Sequence, residues 1–253
     1  MRVHVALSPA EFPEAPLSGR TALAIDVLRA TSAAVAACEA GCHRLVAVAD
    51  AEAAEAFAAA DGADTVRAGE RGGEPLAGFD LGNSPAEFTA ESVGRRTVVL
   101  TTTNGTAAML AASGAAAAGL AALTNVSAAA RWALAEGRDV SILCAGDSGA
   151  LSLEDVVCAG LLVAHLSGSG VTTLSEGAAT ALALGRYYGG RLDRLAEASP
   201  WARRLARQGR GADVAACLRA DVSDVVPVFA AGGFVPQRVA SSGLAVARPE
   251  GGS

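Results

Sequence analysis

The sequence predicts an α/β fold in which a largely parallel sheet carries helices on its faces, and three observations lead there. Short apolar, partly β-branched runs alternate with alanine-rich stretches of high helix propensity. The order strand, loop, helix, strand recurs along the chain, which is the pattern of parallel βαβ units. Hydrophobic residues make up 51% of the 253, enough to bury one large core or two small neighbouring ones.

The first unit reads as a strand at Leu23 to Val27, a helix at Ala30 to Ala40 and a strand at Arg44 to Ala49. Thr97 to Thr101, Thr106 to Ala112 and Gly119 to Leu123 repeat that order, and Asp139 to Cys144 followed by Leu153 to His165 starts it again. Thr31-Ser32-Ala33-Ala34 can be laid over Gly105-Thr106-Ala107-Ala108, as one supersecondary unit used repeatedly would allow. Between the units, Ala68 to Pro85 replaces apolar periodicity with glycine, proline and acids, so it is expected as a long non-core loop with a binding or lid role. After Ser199 the run WARRLARQGR reads as a solvated helix face, and a last apolar patch spans Val225 to Ala231. Residues 1–235 are expected to form one domain, with 125–140 as the place where a second subdomain would begin and 236–253 as a loose tail.

Composition excludes several classes of function. A net charge of −6 with 18% charged residues gives no footprint for a phosphate backbone or an anionic membrane surface, so no nucleic acid or membrane is expected as a partner. All basic residues are arginine, which rules out lysine Schiff-base chemistry and a P-loop lysine. The five cysteines sit among apolar residues, as reduced thiols of a cytosolic core do. Met1 to Pro16 lacks the order of a signal peptide and the apolar runs fall short of spanning length, so a soluble, cytoplasmic protein is expected. No heptad or basic stripe specifies a protein partner; a homodimer is the one assembly left open.

Ligands of a parallel α/β sheet bind outside the carboxyl ends of its strands, so the residues after each strand are the place to search. Three junctions there are polar: Asp26-Val-Leu-Arg29-Ala-Thr31-Ser32, Thr101-Thr102-Thr103-Asn104-Gly105-Thr106, and Cys144-Ala-Gly146-Asp147-Ser148-Gly149. Each offers hydroxyls and a following helix with unpaired N–H groups, the recipe for holding a phosphate, and Arg29 adds a fork for a pair of phosphoryl oxygens. The competing reading is that each Thr or Ser only caps its helix. Asp26, Glu70, Asp80, Asp147, Glu154 and Asp155 fall on or beside these loops. A magnesium ion takes one or two such carboxylates plus water and substrate phosphate, and Asp26, Glu70, Asp147 and Asp155 are the expected ligands. Glu154 and Asp155 could equally be first-turn acids of the following helix.

Spacing tests the known routes to phosphate-ester cleavage. Cys38 and Arg44 satisfy a Cys-x5-Arg spacing, but that cysteine reads as helical and the arginine opens a strand. Cys144 ends a strand, yet position 150 is alanine where arginine would be needed. Asp26 is followed two residues later by Leu28, not by a second aspartate. Direct attack by metal-bound water is the simplest route left, with Asp, Ser or Thr nucleophiles still open. His4, His43 and His165 lack a zinc spacing, and Tyr187, Tyr188 and Trp201 are expected in packing roles.

Through Ile25 to Ser32, Gly69-Glu70, Gly78 to Pro85, Thr102 to Thr106, Leu153-Glu154-Asp155 and Ala159-Gly160, the chain resembles the 2-phosphosulfolactate phosphatases. Weaker echoes at Gly209, Asp213-Val214, Cys217 and Val226-Pro227 extend the resemblance over nearly the whole chain. It implies a three-layer α/β/α fold and magnesium-dependent hydrolysis of (R)-2-phospho-3-sulfolactate to 3-sulfolactate and phosphate, a step associated with coenzyme M synthesis. On that reading Asp26, Arg29 and Asp147 are catalytic, while Arg29, Thr31, Ser32 and Thr102, Thr103, Asn104, Gly105 and Thr106 hold the phosphoryl group. Asn83 and Ser84 then face the sulfonate and carboxylate end. The alternatives are another small acidic phosphate ester, or a sensor that binds an anionic metabolite without hydrolysing it.

Overall fold

The structure is a computed structural model that describes residues 1–12, 17–62, 64–168 and 173–240. The first half of the chain runs β1 (Arg2–Ala6), β2 (Thr21–Ile25), α1 (Ala30–Glu39), β3 (Arg44–Ala47), α2 (Ala51–Asp61), β4 (Thr65–Arg71), β5 (Glu74–Pro75), α3 (Ala90–Val93), β6 (Thr97–Thr101), α4 (Gly105–Ser113) and β7 (Ala117–Ala121). It continues through α5 (Val126–Ala135), β8 (Val140–Cys144), α6 (Leu153–Ser167), β9 (Thr173–Leu174), α7 (Glu176–Tyr188), α8 (Leu192–Ala198), α9 (Pro200–Arg207), α10 (Gly211–Cys217), β10 (Val225–Ala230) and β11 (Gly233–Arg238).

The period of two along each strand creates the layers. In β2, Leu23 and Ile25 join one core with α5, α6 and α7, whereas Ala22 and Ala24 join the other with α1 and α4. Ile142 and Leu143 of β8 divide between the two cores in the same way. Strands covered on both faces need no polar side, which is why β2, β6 and β8 are buried at every position. The result is the expected α/β fold with helices on either side of a mostly parallel sheet.

The strand order is β5-β4-β6-β3-β11-β10-β7-β2-β8-β1-β9. One parallel block contains β4, β6 and β3, and a second contains β7, β2, β8, β1 and β9. Between them lies the antiparallel β10–β11 hairpin, which meets β7 through Val228 and Gly119 and β3 through Phe234 and Leu45. Three successive antiparallel pairings make the two blocks run in opposite senses. The carboxyl ends of β6 and β2 nevertheless meet, since Gly105 after β6 lies against Asp26 and Ala30 after β2.

Two segments differ from expectation. The stretch from Ala68 begins inside β4, and Gly69, Glu70 and Asn83 within it are buried. Glycine is required at position 69 because a Cβ there would lie 2.5 Å from the Thr101 carbonyl oxygen of β6. Pro236, Gln237 and Arg238, expected in the tail, pair with β10; the rest of the expected tail, 241–253, lies outside the described residues.

Helices α6 and α7 cross backbone to backbone at Gly160 and Gly185. A Cβ on Gly185 would stand 2.6 Å from the Gly160 carbonyl carbon, and one on Gly160 would collide with the Ala181 carbonyl. Gly160→Ala is therefore expected to destabilise by about 1–3 kcal/mol, despite the gain of about 1 kcal/mol in helix propensity. Gly211→Ala, at a position open to space, should be neutral. Thermal unfolding of the two variants checks the contrast.

Candidate active site

The loops that follow β2 and β8 are tied together by a single carboxylate. Asp155, in the first turn of α6, accepts hydrogen bonds from the backbone N–H of Val27 at 2.8 Å and of Gly146 at 3.0 Å. Burial, reinforced by the nearby Asp26 and Glu154 carboxylates, pushes its acid well above the usual range. The loops after β6 and β8 are joined by the Ser148 N–H, which donates to Asn104 Oδ1 at 3.1 Å.

A matching pair of threonines shapes the loops after β2 and β6. Thr31 Oγ1 accepts from the Asp26 N–H at 3.0 Å and donates to the Asp26 carbonyl at 2.8 Å. Thr106 does the same for Thr102, at 3.4 and 3.2 Å. One hydrogen-bonding device is thus used twice, but it matches Thr106 with Thr31, one residue out of the register of the sequence overlay, which set Thr106 against Ser32. Gly105 is glycine because a Cβ would strike the Ala30 side chain and Asp26 Oδ2.

These loops enclose a cleft of about 120 Å³, room for only a small molecule, lined by Asp26, Leu28, Arg29, Glu70, Gly72, Asn83, Thr103, Asn104, Asp147, Ser148, Trp201 and Arg204. Asp26 is buried, and its acid is pushed up to about 7. Desolvation is the main cause; the Ala30 N–H pulls the other way, Glu70 and Glu154 raise it further, and Arg29 lowers it. Glu70 is held as an acceptor on both oxygens, from the Thr103 N–H at 2.7 Å and the Gly73 N–H at 2.6 Å. Arg29 is buried, donating to Asp213 Oδ2 at 2.6 Å and to the Gly73 carbonyl at 2.8 Å. Asp213 Oδ1 in turn accepts from Ser84 Oγ at 2.5 Å.

The expected site residues therefore divide. Asp26, Arg29, Glu70, Asn83, Thr103, Asn104 and Asp147 share the cleft. Thr31, Ser32, Thr102, Gly105 and Thr106 stand behind it, where Ser32 Oγ donates to the Val27 carbonyl at 2.7 Å and the threonines fix the loops. Ser84 reaches the site through Asp213, and Asp155 through the two amides it accepts. Asp80 lies elsewhere, paired with Arg67 at 3.3 Å.

Sequence reasoning took Trp201 first as a packing residue and only second as a border of the pocket, passed over Arg204, and gave Asp213 no role in fixing Arg29. Trp201 closes one wall of the cleft and donates from Nε1 to the Leu28 carbonyl at 2.8 Å, with the Arg204 guanidinium 5.0 Å from its ring centre. A tryptophan within an arginine-rich helix was the available signal. Glu154 is buried with Oε2 lacking a hydrogen-bond partner among the described residues, and it faces a neighbouring cavity shared with Asp147 and Trp201.

The donor set fits a hard cation. The carboxylates of Asp26, Glu70 and Asp147 share the cleft with Asn83, whose buried carbonyl oxygen also lacks a partner. Among the described residues no three Asp, Glu, His or Cys side chains close around a metal by themselves, so a cation here would complete its shell with water and substrate oxygens, as magnesium does. No cysteine or histidine lines the cleft among the described residues, and burial pushes the Cys144 thiol well up. That agrees with the spacing argument against cysteine chemistry.

The family model described as 2-phosphosulpholactate phosphatase matches residues 6–232. A Deinococcus radiodurans protein named probable 2-phosphosulfolactate phosphatase is 41% identical, covering 93% of this chain and 96% of its own. Proteins of the same name from Thermus thermophilus (42% identical, 90% of this chain and 94% of its own) and Gloeobacter violaceus (36%, 95% and 100%) align over similar spans. The chain belongs to the 2-phosphosulpholactate phosphatase family.

Proposed function

We propose that this chain is a magnesium-dependent phosphatase that hydrolyses (R)-2-phospho-3-sulfolactate to 3-sulfolactate and inorganic phosphate. The observation that carries the reading is convergence: residues from the Asp26–Arg29, Glu70, Asn83 and Thr103–Asn104 motifs, far apart in sequence, line one small cleft. Its size and the net charge of −6 suit a small metabolite rather than a polynucleotide. The buried free cysteines fit a reducing compartment such as the cytoplasm, and among the described residues no helix is long and apolar enough to cross a membrane.

Asp26, Glu70 and Asp147 would hold the magnesium ion, with the unpaired oxygens of Asn83 and Glu154 close at hand. When bound, magnesium supplies positive charge against the phosphoryl oxygens as the ester bond breaks. Arg29 supplies the second positive charge. Its clamp by Asp213 and the Gly73 carbonyl fixes the guanidinium before substrate arrives, so little reorganisation is needed at the transition state. Thr103 and Asn104 bound the cleft at the start of α4, whose first N–H groups favour an anion. Trp201 and Leu28 form an apolar wall that limits water.

Phosphate release from racemic phosphosulfolactate and from phospholactate, with magnesium and with a chelator, tests the reading. Magnesium-dependent turnover that prefers the sulfonate is expected. Anion binding without turnover would instead support a sensor.

Asp26→Asn should lower kcat at least 100-fold, the scale on which loss of an electrostatic catalytic group acts. It should also stabilise the metal-free protein. The folded acid titrates at about 7 against an ordinary value of 3.8, so between those pH values the folded wild type holds a proton that the unfolded chain has released. Wild-type stability relative to the variant should fall by ~1.4 kcal/mol per pH unit across that window and level off above it. Denaturant titrations of both proteins in chelator, from pH 4 to pH 8, measure this, and magnesium should narrow the gap by stabilising only the wild type.

Asp213→Asn leaves Arg29 in place but weakens its clamp. A drop in kcat/KM of about tenfold is expected, the cost of one charge-assisted hydrogen bond, with magnesium affinity unchanged by calorimetry.

A further inference from the structure

We propose that Arg204 of α9 reads the sulfonate group, with Trp201 as its fixed platform; this rests on the function proposed above and assigns the far end of the same substrate. The substrate carries phosphoryl, carboxylate and sulfonate groups on three adjacent carbons, so at least one anion lies beyond the magnesium and Arg29. Among the described residues the cleft is lined by two arginines, Arg29 and Arg204. Arg29 is already clamped by Asp213 at 2.6 Å, whereas the Arg204 guanidinium makes no hydrogen bond or ion pair with any described residue. An unpaired guanidinium at the edge of a cleft rich in acids is placed to meet an incoming anion rather than to support the fold.

The geometry limits what it can reach. The Trp201 ring is anchored to the Leu28 carbonyl through Nε1 at 2.8 Å, and Leu28 precedes Arg29 in the chain. The Arg204 guanidinium, 5.0 Å from that ring centre, is therefore referenced to the loop that carries the phosphoryl-binding arginine. A sulfonate stays ionised at all working pH, is a poor metal ligand beside phosphate, and offers several oxygens to a weakly hydrated, forked cation. The ring supplies an apolar surface for the methylene that carries the sulfonate.

Arg204→Gln and Arg204→Lys, compared with wild type on phosphosulfolactate and phospholactate and in calorimetric binding of 3-sulfolactate, test the assignment. The glutamine variant should raise KM for phosphosulfolactate about tenfold with kcat nearly unchanged, and leave phospholactate kinetics as they are. Lysine should restore part of the loss. Unfolding temperatures should match wild type, because Arg204 is exposed and its guanidinium has no hydrogen bond or ion pair with any described residue, only the Trp201 ring beside it. Equal losses on both esters, or none, would overturn the assignment. A wild type inactive on both esters would refute the proposed activity alone; the binding arm then decides, with weaker 3-sulfolactate binding by the glutamine variant upholding the role of Arg204, and equal or absent binding in both proteins overturning it.

Discussion

The Asp155 carboxylate is the constraint on which the site depends. The sheet delivers the loops after β2 and β8 as separate chains, and Asp155 joins them by accepting one backbone N–H from each. Burying an acid is costly unless its hydrogen bonds are complete, and here each oxygen has an amide donor. Its neighbour Glu154 faces elsewhere, toward the cavity bordered by Asp147 and Trp201. One helical turn therefore sends one acid to build the loops and presents the other beside the cleft.

Small side chains let these loops come close. The alanines of α4 let it lie close on β2 and those of α1 let it lie over β7 and β10, and Gly105 lets the start of α4 touch Asp26 and Ala30. Thr31 and Thr106 then fix two equivalent loops with the same pair of hydroxyl bonds. Alanine content that looks like low information in the sequence is, in the fold, what sets the distance between carboxylates and arginine.

Much of the fold was legible because periodicity reports local structure. The runs at Thr97–Thr101, Ala30–Glu39 and Val140–Cys144 formed the elements that their patterns predict. The placement of β10 and β11 was not legible: the apolar patch at Val225 indicates a strand, but insertion between two parallel blocks is decided by which edges remain unpaired. Site residues split along the same line. Asp26, Arg29, Glu70 and Asp147 could be found because charge near strand ends is rarely idle, and they share the cleft. Hydroxyls carry no such mark. Whether Ser32 meets a ligand or the Val27 carbonyl depends on loop curvature, which no spacing encodes. Trp201 and Arg204 escaped because their helix, α9, belongs to a different part of the chain and reaches the cleft only through tertiary packing.

The electrostatics of the cleft are those of crowded acids. Asp26, Glu70 and Asp147 line the same space, Glu154 acts on Asp26 from nearby, and one of the two lining arginines is already paired with Asp213. Without a cation, the cheapest response is to keep a proton on Asp26, as its value of about 7 expresses. On the function proposed above, a divalent ion would take the place of that proton and relieve the repulsion among the carboxylates. It would also offset most of the carboxylate charge, which a phosphate ester must meet on entering the cleft. On the same reading charge would set the order of events, cation before anion, because carboxylates without a cation would repel the substrate.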